Sequence, residues 1–140
     1  MNFTFIDTNI LIYAHDKGQA GKYKIAQESL QQLWETDTGT LSTQVLQEFY
    51  SVATRKLKPA MSHREARDIV AAYGEWCVMN TDTQLLVSAS MLCERHSVSW
   101  WDALVIEAAL RSGATTLLSE DLQDGRQFGT VTIRNPFAGD

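Results

Sequence analysis

Short β-prone apolar runs alternate along this chain with longer segments of helical periodicity, and that alternation restricts the fold more than any other feature. Phe3-Thr4-Phe5-Ile6 reads as a first strand. Ile10 to Ala14 begins a helix, and Ile25, Ala26, Leu30, Leu33 and Trp34 recur at helical spacing within 22–34. Asp37-Thr38-Gly39 is a turn and Thr40-Leu41-Ser42 a second strand. Thr43 is expected to cap a helix to about Leu57, which Pro59 stops. Ser62 and Glu65 form a capping-box pattern that opens a helix to about Trp76. Cys77-Val78-Met79 reads as a short strand. Thr81 or Asp82 caps a helix to about Arg95, and another runs from near Trp101 to Gly113. Thr115 to Leu118 and Val131 to Ile133 read as further strands.

Strands separated by helices imply an α/β fold with a mostly parallel sheet covered by helices on both faces. In such sheets ligands bind beyond the carboxyl ends of the strands. Asp7 follows the first strand directly, and Asp121 follows the Leu117-Leu118 strand closely. Both acids are expected on one edge of the sheet.

A length of 140 residues fits a single domain spanning 1–140, and 44% hydrophobic residues supply a core. No repeat or linker interrupts it. No apolar run approaches a membrane span, and Asp7 breaks the first apolar stretch with no basic region before it, so a cytoplasmic location is expected. Cys77 and Cys93 are too few for a disulfide framework and are expected to be small buried side chains. A net charge of −5 argues against nucleic-acid binding unless the acids converge on cations that reverse the local sign.

Four acids are candidates for such convergence. Glu48 lies among Val45, Leu46, Phe49 and Val52, where it either carries a compensated charge or reaches solvent at the stripe's edge. Asp102 could simply complement the dipole in a helix's first turn, although Trp100 and Trp101 before it suggest a buried start. Asp7, next to Asn9, could be a helix cap. Asp121 sits with Glu120 and Asp124 in what is otherwise an ordinary solvated turn. Glu107 is expected to be a solvated surface charge. Carboxylates that share one cleft repel each other unless cations neutralise them, and oxygen-only ligands suit Mg²⁺ or Mn²⁺. Those ions serve phosphodiester hydrolysis.

The run Phe5-Ile6-Asp7-Thr8-Asn9-Ile10-Leu11-Ile12-Tyr13 resembles the opening motif of PIN-domain nucleases, especially VapC-type toxins. Glu48 in Gln44-Val45-Leu46-Gln47-Glu48-Phe49, Asp102 in Trp101-Asp102-Ala103-Leu104-Val105, and Ser119-Glu120-Asp121 after an apolar strand continue the resemblance in order. It implies a three-layer α/β/α PIN-like fold and a Mg²⁺- or Mn²⁺-dependent endoribonuclease. It further implies the toxin of a toxin–antitoxin pair, with a separate antitoxin and a homodimeric state. By the same resemblance Asp7, Glu48, Asp102 and Asp121 form the catalytic, metal-binding quartet, with Asp7 and Asp102 expected to be the firmest ligands and Glu48 and Asp121 to coordinate directly or through water. Asn9 and Ser119 orient it, and Asp124 is a reserve acid. Glu120 is expected to point elsewhere.

Arg55, Lys56, Lys58, Arg64 and Arg67 form the densest basic run and could hold RNA phosphates, or could be ordinary solvated charge. Trp100 and Trp101 could stack bases, but a core role is expected. His15, His63 and His96 follow no ligand pattern. A haloacid-dehalogenase-like phosphotransferase would need a second Asp where Asn9 stands, and a receiver domain an acidic pair near the first strand. A non-catalytic PIN-like partner-binding module is the other alternative.

Overall fold

The computed structural model describes residues 2–139. The elements are β1 (Phe3–Ile6), α1 (Thr8–Tyr13), α2 (Ala20–Thr36), β2 (Gly39–Ser42), α3 (Thr43–Arg55), α4 (His63–Tyr73), β3 (Cys77–Met79), α5 (Thr83–His96), α6 (Trp100–Arg111), β4 (Ala114–Leu118), β5 (Gln127–Phe128) and β6 (Val131–Arg134). The six strands form one sheet in the order β3-β2-β1-β4-β6-β5. Every pairing is parallel except β5 with β6.

The chain steps outward from β1 to β2 and β3, then returns past β1 to β4. Right-handed crossovers in opposite directions put helices on opposite faces. The contacts agree: α1 packs on α2 and α3, and α3 on α4, whereas α5 packs on α6. The expected α/β/α layering is therefore present. No helix among the described residues is long and apolar enough to cross a membrane.

Side-chain caps fix where the helices start. Ser62, Asp82 and Ser99 each accept from a backbone N–H three residues on. The cap of α3 is Ser42 and not the expected Thr43, because the Ser42 hydroxyl accepts from the Val45 N–H at 3.3 Å. Strand β2 thus runs straight into α3, as β1 runs through Asp7 into α1. The core gathers Phe5, Ile6, Leu41, Leu117 and Ile133 from the sheet with Ile10, Leu11, Val45 and Phe49 from the helices. Burying a side chain such as Phe49 contributes about 1.5–3 kcal/mol.

Gly39 opens β2 against the face of Trp76, and a Cβ there would fall 2.5 Å from the ring. Trp76 cannot swing away freely, since Trp34 and Tyr73 pack around it at centroid distances of 5.1 and 4.8 Å. Gly39→Ala is expected to destabilise the fold by about 1–3 kcal/mol, the usual cost of overpacking, measurable by urea unfolding.

Several expectations need correction. Cys93, on α5, is half-buried, and Cys77 is exposed because β3 is an edge strand and Cys77 its first residue. Trp100 and Trp101 are 37% and 65% exposed, so neither is a core residue; burial on α6 begins only at Ala103. Glu107 is half-buried and lies 3.8 Å from Arg111 one turn on, so it is not a freely solvated charge. Helices α3 and α4 end at Arg55 and Tyr73, short of Leu57 and Trp76. Strand β5 is an addition. Its two residues are too short to show alternation, and the left-handed Gly129 (φ 57°) closes its hairpin with β6.

Candidate active site

Strands β1 and β4 are parallel neighbours, and the chain leaves them toward opposite sides of the sheet. Their carboxyl ends form the topological switch point, where α/β sheets present their ligand crevice. The Asp7 N–H continues the ladder by donating to the Leu118 carbonyl at 2.9 Å, and the Ser119 N–H donates to the Arg134 carbonyl at 3.0 Å. Asp7 and Ser119 are therefore fixed side by side by sheet hydrogen bonds.

Asp7 is only 8% exposed. One of its carboxylate oxygens accepts from the Thr8 N–H at 2.7 Å, and the other from the Ser119 hydroxyl at 2.8 Å. That hydroxyl also accepts from the Asp121 N–H at 3.2 Å. The Asn9 side-chain amide donates to Asp7 Oδ2 at 3.4 Å and to Asp121 Oδ2 at 3.2 Å. Its carbonyl oxygen accepts from the Glu120 N–H at 3.1 Å. Asn9 and Ser119 thus tie two acids 114 residues apart in sequence into one group (Asp7 to Asp121).

Burial pushes the Asp7 carboxyl up from 3.8 to about 6, against the lowering effects of the Ser119 hydroxyl and the Thr8 N–H; the charges of Asp121 and Glu48 raise it further. Glu48 is exposed on α3, and the Gln44 amide one turn earlier donates to it at 2.9 Å. Glu48 thus reaches solvent, the second of its two alternatives, and its charge repels that of Asp7. Gln44, Gln47, Glu48 and the exposed Trp101 line a shallow cavity between α3 and the start of α6.

Asp102 is half-buried in the first turn of α6, where its N–H donates to the Ser99 hydroxyl at 3.1 Å. Its carboxylate makes no hydrogen bond among the described residues, and it is not among the charges that raise Asp7. Asp124 accepts from the Asn135 N–H at 2.9 Å, so this reserve acid is occupied elsewhere. Glu120 turns away from Asp121 toward Lys22 and Tyr13. Arg55, Lys56 and Lys58 are all exposed at and beyond the end of α3.

A divalent cation fits the chemistry of this group. All its donors are oxygens, and among the described residues no Lys or Arg pairs with any of the four acids. The Thr8 hydroxyl, next to Asp7, is buried without a hydrogen-bond partner. Among the described residues no three His, Cys, Asp or Glu groups lie close enough to hold one ion: Asn9 joins Asp7 and Asp121, whereas Glu48 and Asp102 stand apart from that pair. The sequence assigns Gln44 and Thr8 no role, although Gln44 stands one helical turn before Glu48 and Thr8 follows Asp7 directly.

The model of the PIN domain family matches residues 4–123. The chain belongs to the PIN domain family. Solved structures share its PIN fold at low identity. VapC20 of Mycobacterium tuberculosis, described as a toxin that cleaves the sarcin–ricin loop, is 21% identical over 81% of this chain and 86% of its own, with a TM-score of 0.63. A toxin–antitoxin complex from Klebsiella pneumoniae contains a chain 16% identical, with coverage of 95% and 97% and a TM-score of 0.67. DNA-bound VapBC from Salmonella typhimurium gives 17% identity, 97% and 99% coverage, and a TM-score of 0.66. No curated protein matches the chain.

Proposed function

We propose that this PIN-domain protein is a Mg²⁺- or Mn²⁺-dependent endoribonuclease of VapC type, the toxin of a toxin–antitoxin pair. The observation that carries the proposal is the Asp7–Asn9–Ser119–Asp121 group at the switch point of the sheet. An Asp kept in a buried position that pushes its carboxyl up to about 6 is costly for folding alone, and a cation beside it would offset that cost. Membership of the PIN family and likeness to toxin chains support the same reading.

Asp7 and Asp121 would hold the cation, in place of the expected Asp7 and Asp102, because Asn9 bridges the former pair; Glu48 and Asp102 would contribute directly or through water. When bound, a divalent cation supplies charge neutralisation at the scissile phosphate and activation of water for in-line attack. Asn9 holds the two carboxylates at a fixed separation. The Ser119 hydroxyl orients Asp7 and, through the Asp121 N–H, sets the turn that carries its partner. Arg55, Lys56 and Lys58 would hold phosphates away from the cut. An antitoxin would cover the acids, and a second copy of the chain would complete a homodimer.

Incubation of the purified protein with a mixed RNA substrate tests the proposal. Cleavage in Mg²⁺ or Mn²⁺ and its loss with chelator are expected. Hydrolysis of small phosphomonoesters in place of RNA would favour a phosphotransferase. Intact RNA under all metal conditions would favour a partner-binding module.

A further inference from the structure

Glu120 stands between two residues of the candidate site, yet its side chain faces the other way. The Tyr13 hydroxyl donates to one of its oxygens at 2.8 Å, and Lys22 pairs with the other. The Lys22 ammonium also donates to the Tyr13 hydroxyl at 3.4 Å. It lies 4.8 Å from the Tyr13 ring centroid and 5.6 Å from that of Phe137. Those two rings pack edge to face at 5.1 Å. The end of α1 and the start of α2 thus meet on one carboxylate that follows β4, with Phe137 packed against Tyr13 and near Lys22.

An exposed ion pair contributes little to stability. This one has more partners than most. The Tyr13 hydroxyl and the Lys22 ammonium together engage both oxygens of the Glu120 carboxylate. The backbone of the same residue donates to Asn9 Oδ1 at 3.1 Å. That bond fixes the Asn9 amide so that its NH₂ faces Asp7 and Asp121. Without it the amide could rotate, and the two carboxylates would be free to separate under their mutual repulsion.

We propose that Lys22, Tyr13 and Glu120 form a clamp that positions the Ser119–Asp121 turn, and through Asn9 sets the spacing of the acids. Lys22 and Tyr13 are positioning residues. The inference rests on the nuclease proposal only where it concerns turnover.

The sign of one substitution separates the clamp from simple electrostatics. Removing a positive charge near an anionic site should tighten cation binding by Coulomb's law. The clamp requires the opposite. Lys22→Met is expected to weaken Mn²⁺ binding about tenfold, the scale on which groups that orient metal ligands act. It should lower kcat for RNA about equally and leave KM unchanged. Lys22→Arg, which keeps a charged donor to the carboxylate, should restore both. Lys24→Met, on the same helix and exposed, is the control. In the metal-free protein, the NMR signals of the Asn9 side-chain amide should shift in Lys22→Met and stay put in Lys24→Met.

Mn²⁺ binding in Lys22→Met as tight as wild type or tighter, with unmoved Asn9 signals, would overturn the clamp. A wild-type protein that neither binds Mn²⁺ nor cuts RNA sinks the nuclease proposal. The Asn9 signals then decide the clamp by themselves: a shift in Lys22→Met supports it and no shift overturns it.

Discussion

Asp7→Asn is expected to reduce RNA cleavage by about 10³-fold or more while the protein stays folded. The loss follows from charge. The substitution removes one negative charge from the most buried of the four acids, at the point where Asn9, Ser119 and Asp121 converge. Deleting one preorganised group that stabilises transition-state charge commonly costs 10²–10³-fold, and loss of a cation's anchor removes more than one such interaction. The fold should survive because asparagine keeps an oxygen to accept from the Thr8 N–H, and asparagine is as good a helix cap as aspartate. Steady-state kinetics with a circular dichroism control measure both halves. Wild-type cleavage rates in a well-folded variant would remove Asp7 from the mechanism.

The second large effect is on stability, and its sign is opposite to that of carboxylates whose folded pKa is depressed by a paired cation. Folding raises the Asp7 carboxyl from 3.8 to about 6. The folded protein therefore holds a proton that the unfolded chain has released between those values. Stability from this group is fully present below about pH 4 and is lost as pH rises through about 6. At 1.36 kcal/mol per pKa unit the loss is about 3 kcal/mol, or roughly 10 °C in Tm for a chain of this size. The comparison that isolates it is wild type against Asp7→Asn in chelator, because groups outside the site titrate identically in both. The variant should be the more stable protein at pH 7.5 and should lose that advantage by pH 4. Mg²⁺ at a hundred times its Kd should return about 2.7 kcal/mol to wild type at pH 7.5 and nothing to the variant. An equal pH profile for both proteins would show that Asp7 does not resist ionisation.

Much of the sheet was legible in the sequence because β1, β2 and β4 are short runs without helical periodicity, set off by helices or turns. Phe3–Ile6 and Cys77–Met79 were read at their observed limits. Asp7 and Asp121 could be assigned to one sheet edge because both follow parallel strands, and order along the chain fixes direction. The rest depends on contacts that spacing does not encode. Trp100 and Trp101 look like core in an apolar helix, but helical periodicity does not say that burial starts one turn later, at Ala103. Cys77 looks buried until its strand proves to be an edge. Glu120 looks like half of a solvated acidic turn, since its partners Lys22 and Tyr13 lie 98 and 107 residues away. Glu48 and Asp102 sit on separate helices, α3 and α6. The separation of those helices comes from packing and not from either motif.

The central claim is that these oxygens share a divalent cation, and anomalous diffraction from crystals grown in Mn²⁺ tests it most directly. A peak within coordination distance of Asp7 and Asp121, with Glu48 and Asp102 reaching it directly or through one water, is the expected result. A saturating Mn²⁺ concentration that leaves no peak between Asp7 and Asp121 would contradict it.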